Sequence, residues 1–430
     1  MNKGLRAALA LAAAALLAVA CNAAAFLIDT PAMRENAAQA AAMLGEQQAV
    51  PELVGGFKST QLDNFTAVLI LKTAAYTGPE TLAQKALGGF RRDVPAGEGQ
   101  SGWDAFCVYA DESVEPAYGL NYSRYWHGYT LPLRLLLCVL NLSNIQTLLL
   151  FAQLALLAWV VALMARRSLS PLIPAFFTAW FLLSPTALGV CVQYAPVSLV
   201  TLLACALLLT GDERISRAVG LPAFFALTGM AVSYLDLLTF PLVSLGFPLV
   251  LLLALRIRAG ADSRRVWGEA LACCAAWAAG WGGMWAFKWL LNAAVFGASY
   301  VWGDIFGQTM LRLSADSNGI ALSRLDGLTR CADVVLSKRA YLLLLAGAAA
   351  VSLLSGLAAR RHAPLAESRG SLAGVAALLV PAVFCVLWFV ALANHTYQHY
   401  YYAYRTLAAT AFALLALPAL LPGALKGGRA

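Results

Sequence analysis

The amino-acid sequence predicts an all-α, polytopic integral membrane bundle of about ten transmembrane helices, with a long outer loop directly after the first. Three observations carry that prediction. Of 430 residues, 61% are hydrophobic and only 12% charged, too little polarity to clothe a water-soluble surface. Apolar runs of about 20 residues, long enough to cross a ~30 Å hydrocarbon core, recur along most of the chain. Basic residues gather on alternate connections between those runs. A cytosolic enzyme and a nucleic-acid-binding domain are both excluded, although a net charge of +8 on a soluble chain would suggest a polyanion partner.

The expected spans are residues 6–28, 146–165, 171–190, 193–210, 218–234, 238–255, 267–292, 339–358, 371–393 and 405–422. With the N-terminus inside, the cytoplasmic stretches hold 15 Lys and Arg against 5 Asp and Glu, leaving 15 bases and 17 acids elsewhere. The basic excess therefore fixes orientation and meets anionic lipid heads, with both termini cytoplasmic. Residues 1–28 form an N-terminal anchor. Its Ala18-Val19-Ala20-Cys21 run looks like a signal sequence, but apolar residues continue through Ile28, which suits a retained span. Pro171, Pro174, Pro185, Pro196, Pro222, Pro241 and Pro248 make the spans between residues 170 and 255 short and kinked.

Residues 29–145 are one long outer segment, and residues 293–338 are a second, within a bundle running from 146 to 430. Long ordered loops usually carry function. Asp29-Thr30-Pro31 opens a short amphipathic helix with Met33, Ala37, Ala40 and Leu44 on one face, expected near the membrane surface. A second helix is expected from about Ser59 to Tyr76, and residues 91–103 read as irregular. The aromatic run Asn121 to Tyr129, carrying Tyr125, Trp126 and His127, is expected to skim the outer interface before a helix containing Arg134. Ser143-Asn144-Ile145-Gln146 reads as the capping box of the second span. No Cys-x-x-Cys is present; Cys107 and Cys331 lie on the two outer loops, where free thiols are favoured over a disulfide.

The polar residues that survive in so apolar a chain are the candidates for function. Asp63 follows Thr60 by three, so it is either the distal member of a capping box or a general base. Asp236 is either an N-cap in a tight outer turn or a binding residue. His395 and His399, four apart, share a helix face; the spacing suits a metal but lacks a third ligand, so a divalent ion stays open and no cofactor is required. Arg405 stands on the outer side, against the positive-inside trend, and a phosphate partner would account for it. Asp304, Gln308, Arg312 and Gln193 are further outer-edge groups, while Lys288 is expected to snorkel to the interface.

The chain resembles a GT-C superfamily membrane glycosyltransferase, and more closely the uncharacterised bacterial polytopic proteins associated with it. The resemblance rests on Leu62-Asp63-Asn64-Phe65-Thr66, Tyr125-Trp126-His127-Gly128, the Tyr234 to Pro241 segment, Asn394-His395-Thr396, His399 and Tyr404-Arg405. It implies transfer of a sugar from a polyprenyl-phosphate carrier to a cell-envelope acceptor on the non-cytoplasmic side of a bacterial inner membrane. Asp63 then takes the role of base, with Asp29 as rival. Tyr125, Trp126, His127, Arg134, Asp236, His395, His399, Tyr404 and Arg405 become substrate-binding candidates. A transporter or flippase of a lipid-linked substrate and a non-catalytic membrane protein are the alternatives; a flippase should carry an internal repeat and midplane ionisable groups, and neither is evident.

Overall fold

A computed structural model describes residues 3–111, 114–362 and 371–427, so Glu367, Arg369 and Arg429 of the charge count lie outside the described residues. Helices dominate: α1 (Lys3–Ala25), α2 (Pro31–Gly45), α3 (Asn64–Ala74), α4 (Leu82–Gly88), α5 (Gly102–Cys107) and α6 (Thr130–Leu137) precede the main bundle. Then come α7 (Leu142–Arg166), α8 (Ile173–Leu182), α9 (Pro185–Val190), α10 (Ala195–Ala218), α11 (Leu221–Leu235), α12 (Val243–Arg258), α13 (Ser263–Phe296), α14 (Ala298–Leu313) and α15 (Asp326–Leu336). The chain closes with α16 (Arg339–His362), α17 (Leu372–Ala376), α18 (Leu379–Ala391), α19 (Ala393–Gln398), α20 (Tyr400–Ala403) and α21 (Leu407–Gly427). Two small antiparallel ribbons interrupt them: β1 (Arg91–Asp93), inside the stretch 91–103 expected to be irregular, with β2 (Tyr118–Leu120), and β3 (Asp316–Ser317) with β4 (Ile320–Ala321). Asn318 and Gly319 both take positive φ between β3 and β4, as a two-residue hairpin turn requires.

Among the described residues, seven helical stretches are long and apolar enough to cross a membrane: Ala8–Ala25, Leu142–Arg166, Ala195–Ala218, Ser263–Phe296, Arg339–Arg361, Leu372–Ala391 and Tyr400–Leu425. The other three expected spans are the proline-rich ones. The stretch 171–190 breaks at Ser184 into α8 and α9, and α9 lies beside the first half of α7, whose Gln146 and Gln153 amides donate to Val190 O and Leu188 O. α11 and α12 have 15 and 16 residues, about 22–24 Å at 1.5 Å per residue, short of a full hydrocarbon core. α11 nonetheless packs along α13 at very close range: a Cβ at Gly229 would meet Trp277 O at 2.3 Å, and one at Gly280 would meet Ala226 O at 2.2 Å. Small residues that let two backbones approach are the usual device of helix pairs in lipid.

The charge pattern has a direct structural counterpart. Arg167 at the end of α7 pairs with Asp212 near the end of α10 (2.5 Å), Asp212 with Arg256 at the end of α12 (2.7 Å), and Arg256 with Glu269 at the start of α13 (2.8 Å). These residues form one basic end of the bundle. Residues 29–145 and 293–338 gather at the opposite, loop end, joined by Arg124–Asp304 (2.8 Å), and Lys288 of α13 ties the first segment to the bundle by donating to Leu87 O (2.6 Å). Lys288 is fully buried with Trp126 beneath its ammonium, so it does not snorkel.

The loop end is a packed module. Thr30 caps α2, whose buried face of Met33, Ala37, Ala40, Ala41 and Leu44 packs on α3, α5 and α6 rather than lying on a membrane surface. Lys72 and Asp93 form a buried ion pair (2.7 Å) that ties α3 to β1. Asn141, not Ser143, caps α7 by accepting from Asn144 N. All nine cysteines are free, Cys107 and Cys331 among them.

Candidate functional site

Asp63 sits at the N-cap of α3, four residues beyond the helix start expected near Ser59, and is not the distal partner of Thr60. Its Oδ1 accepts from Thr66 N (2.9 Å) and its Oδ2 from Thr66 Oγ1 (2.8 Å), with Tyr401 OH at 3.4 Å. Only 2% of the residue is exposed. Burial pushes the carboxyl above the usual Asp range, opposed by Thr66, Tyr401 and the Gln193 amide, which face its charged form.

Around Asp63 lies a polar cavity of about 820 Å³ that brings together Tyr125, Gln193, Arg312, Arg330, His395 and His399. The two histidine rings are 4.9 Å apart, and His399 stacks on Tyr402 at 5.2 Å. His395 Nε2 donates to Leu238 O (3.1 Å), which leaves Nδ1 as the acceptor of that ring. Burial, with the Arg312 guanidinium nearby, keeps both rings neutral and pulls His399 down to about 4. Arg312 donates to Gln308 O (2.9 Å) and Tyr125 OH (3.1 Å); Arg330 donates to Tyr397 O (3.1 Å) and lies over the rings of Tyr397 and Tyr400. Neither guanidinium has a carboxylate partner among the described residues, and Asp63 is the one acid lining the cavity. Two cations facing one carboxylate of raised pKa make a net positive chamber.

A second, apolar cavity of about 330 Å³ shares Tyr125 and Arg312 with the first. Its wall is a stripe of Trp281, Trp285 and Trp289 on α13, spaced by four and therefore on one face. The indole N–H groups of Trp285 and Trp289 are buried and find no partner among the described residues.

Several expected site residues are elsewhere, each with its own structural duty. Arg405 is fully buried and spent on protein: it donates to Leu183 O (2.9 Å), Ser59 O (3.1 Å) and Tyr401 O (3.1 Å) and stacks on Tyr194, so it anchors the loop end and has no free donor face for a phosphate. Tyr404 OH shares the same Ser59 carbonyl (2.7 Å). Arg134 donates to Tyr76 O (3.1 Å) and Met33 Sδ and covers Phe26. His127 Nε2 donates to Tyr122 O (2.7 Å) and Nδ1 accepts from Tyr129 OH (2.8 Å), and burial holds it neutral, down to about 3. Trp126 donates to Met284 O (2.9 Å). The aromatic run 121–129 is thus an interior clamp, not an interface belt. Asp236 is a turn cap, accepting from Thr239 N (2.9 Å) and Oγ1 (2.6 Å). Asp29 is half-exposed, paired with Arg34, and lines neither chamber.

Of the residues singled out from the sequence, the structure brings Asp63, Tyr125, His395 and His399 to one cavity, together with Arg312, to which the sequence assigned no role. Sequence reasoning missed Arg330 and the tryptophan stripe. The stripe was detectable as an i, i+4, i+8 repeat; Arg330, inside an amphipathic loop helix, gave no signal. Among the described residues no group of three or more His, Cys, Asp or Glu could hold a metal ion, so the histidine pair lacks protein co-ligands.

No protein-family model, curated protein or solved structure matches this chain. The chain is an all-α, multi-pass membrane bundle.

Proposed function

We propose that this protein is a membrane glycosyltransferase that moves a sugar from a polyprenyl-phosphate carrier to a cell-envelope acceptor at the non-cytoplasmic face. The observation that carries the reading is the paired cavity. A net positive chamber with one buried carboxylate shares Tyr125 and Arg312 with a tryptophan-lined apolar groove, the combination a phosphate on a long apolar tail requires.

In this reading the acceptor oxygen attacks the anomeric carbon as the bond from that carbon to the carrier phosphate breaks. Asp63 takes the acceptor proton, and Arg312 and Arg330 hold the phosphate that departs with the bonding electron pair. Burial raises the Asp63 carboxyl above the usual Asp range, which makes it a stronger base than a free carboxylate. Burial keeps His395 and His399 neutral; His395 hydrogen-bonds Leu238 O and His399 stacks on Tyr402, so they shape the chamber without charge.

The test is transfer in proteoliposomes supplied with labelled polyprenyl-phosphate sugars and envelope glycan acceptors. Asp63→Asn, which keeps the cap to Thr66, is expected to lower transfer at least ~100-fold with normal expression and insertion. Unchanged product from that variant would remove Asp63, and with it the reading.

A further inference from the structure

Phe65, two residues beyond the carboxylate, is 45% exposed although it belongs to a helix otherwise largely buried in the loop-end module. It lines the rim of the polar chamber. Its ring stacks on Phe106 at 4.4 Å and 9°, and Trp103 completes the group at 6.4 Å. The support beneath is held by hydrogen bonds and an ion pair. Trp103 Nε1 donates to Gln47 O (2.8 Å), and Lys72, held by Asp93, donates to Phe106 O (3.0 Å) while sitting 5.1 Å over the Phe106 ring.

A second observation points into the same chamber. Gln193 is 3% exposed and lines the cavity, yet its carbonyl Oε1 has no partner among the described residues. Its amide side faces Asp63. The site therefore offers an unpaired acceptor next to the carboxylate, with the hydroxyl and amide edges of Ser317, Asn318 and Gln398 also on its lining. A flat apolar face beside a polar fringe with a spare acceptor matches one chemical class well: a sugar ring, which has an apolar C–H face and a rim of hydroxyl groups. An acyl chain would leave Gln193 unpaired, and a peptide would not call for a single stacked ring.

We propose that the acceptor is itself a saccharide, its ring face seated on Phe65, its reacting hydroxyl facing Asp63 and a neighbouring hydroxyl donating to Gln193 Oε1. The proposal rests on the transferase reading and names its acceptor class. Phe65 is a specificity residue in this scheme and Gln193 a positioning one.

The experiment uses the full chain in lipid nanodiscs, with cellobiose, chitobiose and maltose as soluble probes, and ligand-observed saturation-transfer NMR. Saturation is expected to reach the ring-face protons of at least one probe. Phe65→Leu, which keeps apolar volume but not a flat ring, should weaken that binding about fivefold, and Phe65→Tyr should retain it. The proposal is overturned if no probe takes up saturation, if Phe65→Leu binds as the wild type does, or if Phe65→Tyr loses as much as Phe65→Leu. The two readings fail separately. Asp63→Asn should keep saccharide binding, so loss of sugar binding with Asp63-dependent transfer intact overturns this proposal alone, whereas Asp63-independent transfer with sugar binding intact overturns the base assignment alone.

Discussion

Asp63 and Asp236 are the same local device placed in two regions. Each opens an Asp-x-x-Thr turn, each accepts from the backbone N–H and the hydroxyl of the Thr three residues on, and each is at least 96% buried. The difference lies in what else they meet. Asp63 has Tyr401 OH and the Gln193 amide from other elements and looks into the polar chamber. Asp236 has backbone N–H groups of its own turn, Leu237 and Leu238, and lines neither chamber. Burial raises both carboxyls, Asp236 to about 6, so a raised pKa does not by itself identify a base. Access to a cavity separates the two.

That contrast can be broken by exchange. The largest expected effect is the ~100-fold loss of transfer in Asp63→Asn, against less than threefold per folded molecule in Asp236→Asn, read from the same proteoliposome assay. Next is Arg312→Ala, which removes a charged donor from the wall shared by the two chambers and should raise the donor KM by about 10- to 100-fold; Arg405→Ala should act through folding yield instead, because its guanidinium is spent on three carbonyls. Similar KM values for the two variants would erase the distinction between binding and anchoring arginines.

The pH dependence sharpens the comparison further. A base must be ionised, so transfer should rise as pH rises through the Asp63 pKa, above the usual ~4 of a carboxylate, and this acid limb should vanish from the residual rate of Asp63→Asn. Stability moves the other way for these acids: a carboxyl with a raised folded pKa contributes stability below its unfolded value that is lost as pH rises through the folded one. For Asp236 that window is between 3.8 and about 6. The buried neutral histidines oppose it. His127 and His399 are lowered from 6.5 to about 3 and about 4, so their contribution is gained as pH rises toward 6.5. Thermal unfolding in detergent from pH 4 to 6.5 should therefore climb more steeply with pH in Asp236→Asn than in wild type, and less steeply in His127→Gln. Parallel curves would refute the assigned environments.

Two smaller effects complete the series. Asp236→Ala should cost about 1–2 kcal/mol through loss of its cap, seen as a lower unfolding temperature. Asp29→Asn should change stability by less than ~1 kcal/mol and leave transfer unaltered, since it breaks only an exposed pair with Arg34.

The sequence by itself determined the class of fold and which charged residues gather at one end of the bundle. Apolar length and alternating charge report on solvent, one element at a time, and the Arg167–Asp212–Arg256–Glu269 network lies at the end where the charge count placed it. Local chemistry was also legible: the turn caps, the amphipathic face of α2 and the shortness of the proline-rich helices follow from neighbours within a few residues. What only the tertiary structure decided was which polar groups meet. Tyr401 reaches Asp63 across 338 residues, and Arg312 reaches Tyr125 across 187. The reversed roles of Arg405 and Arg312 follow from the same cause. Periodicity marks a buried face but does not say whether the groups on it find backbone carbonyls or an open cavity; that is set by how the loop-end module packs onto the bundle.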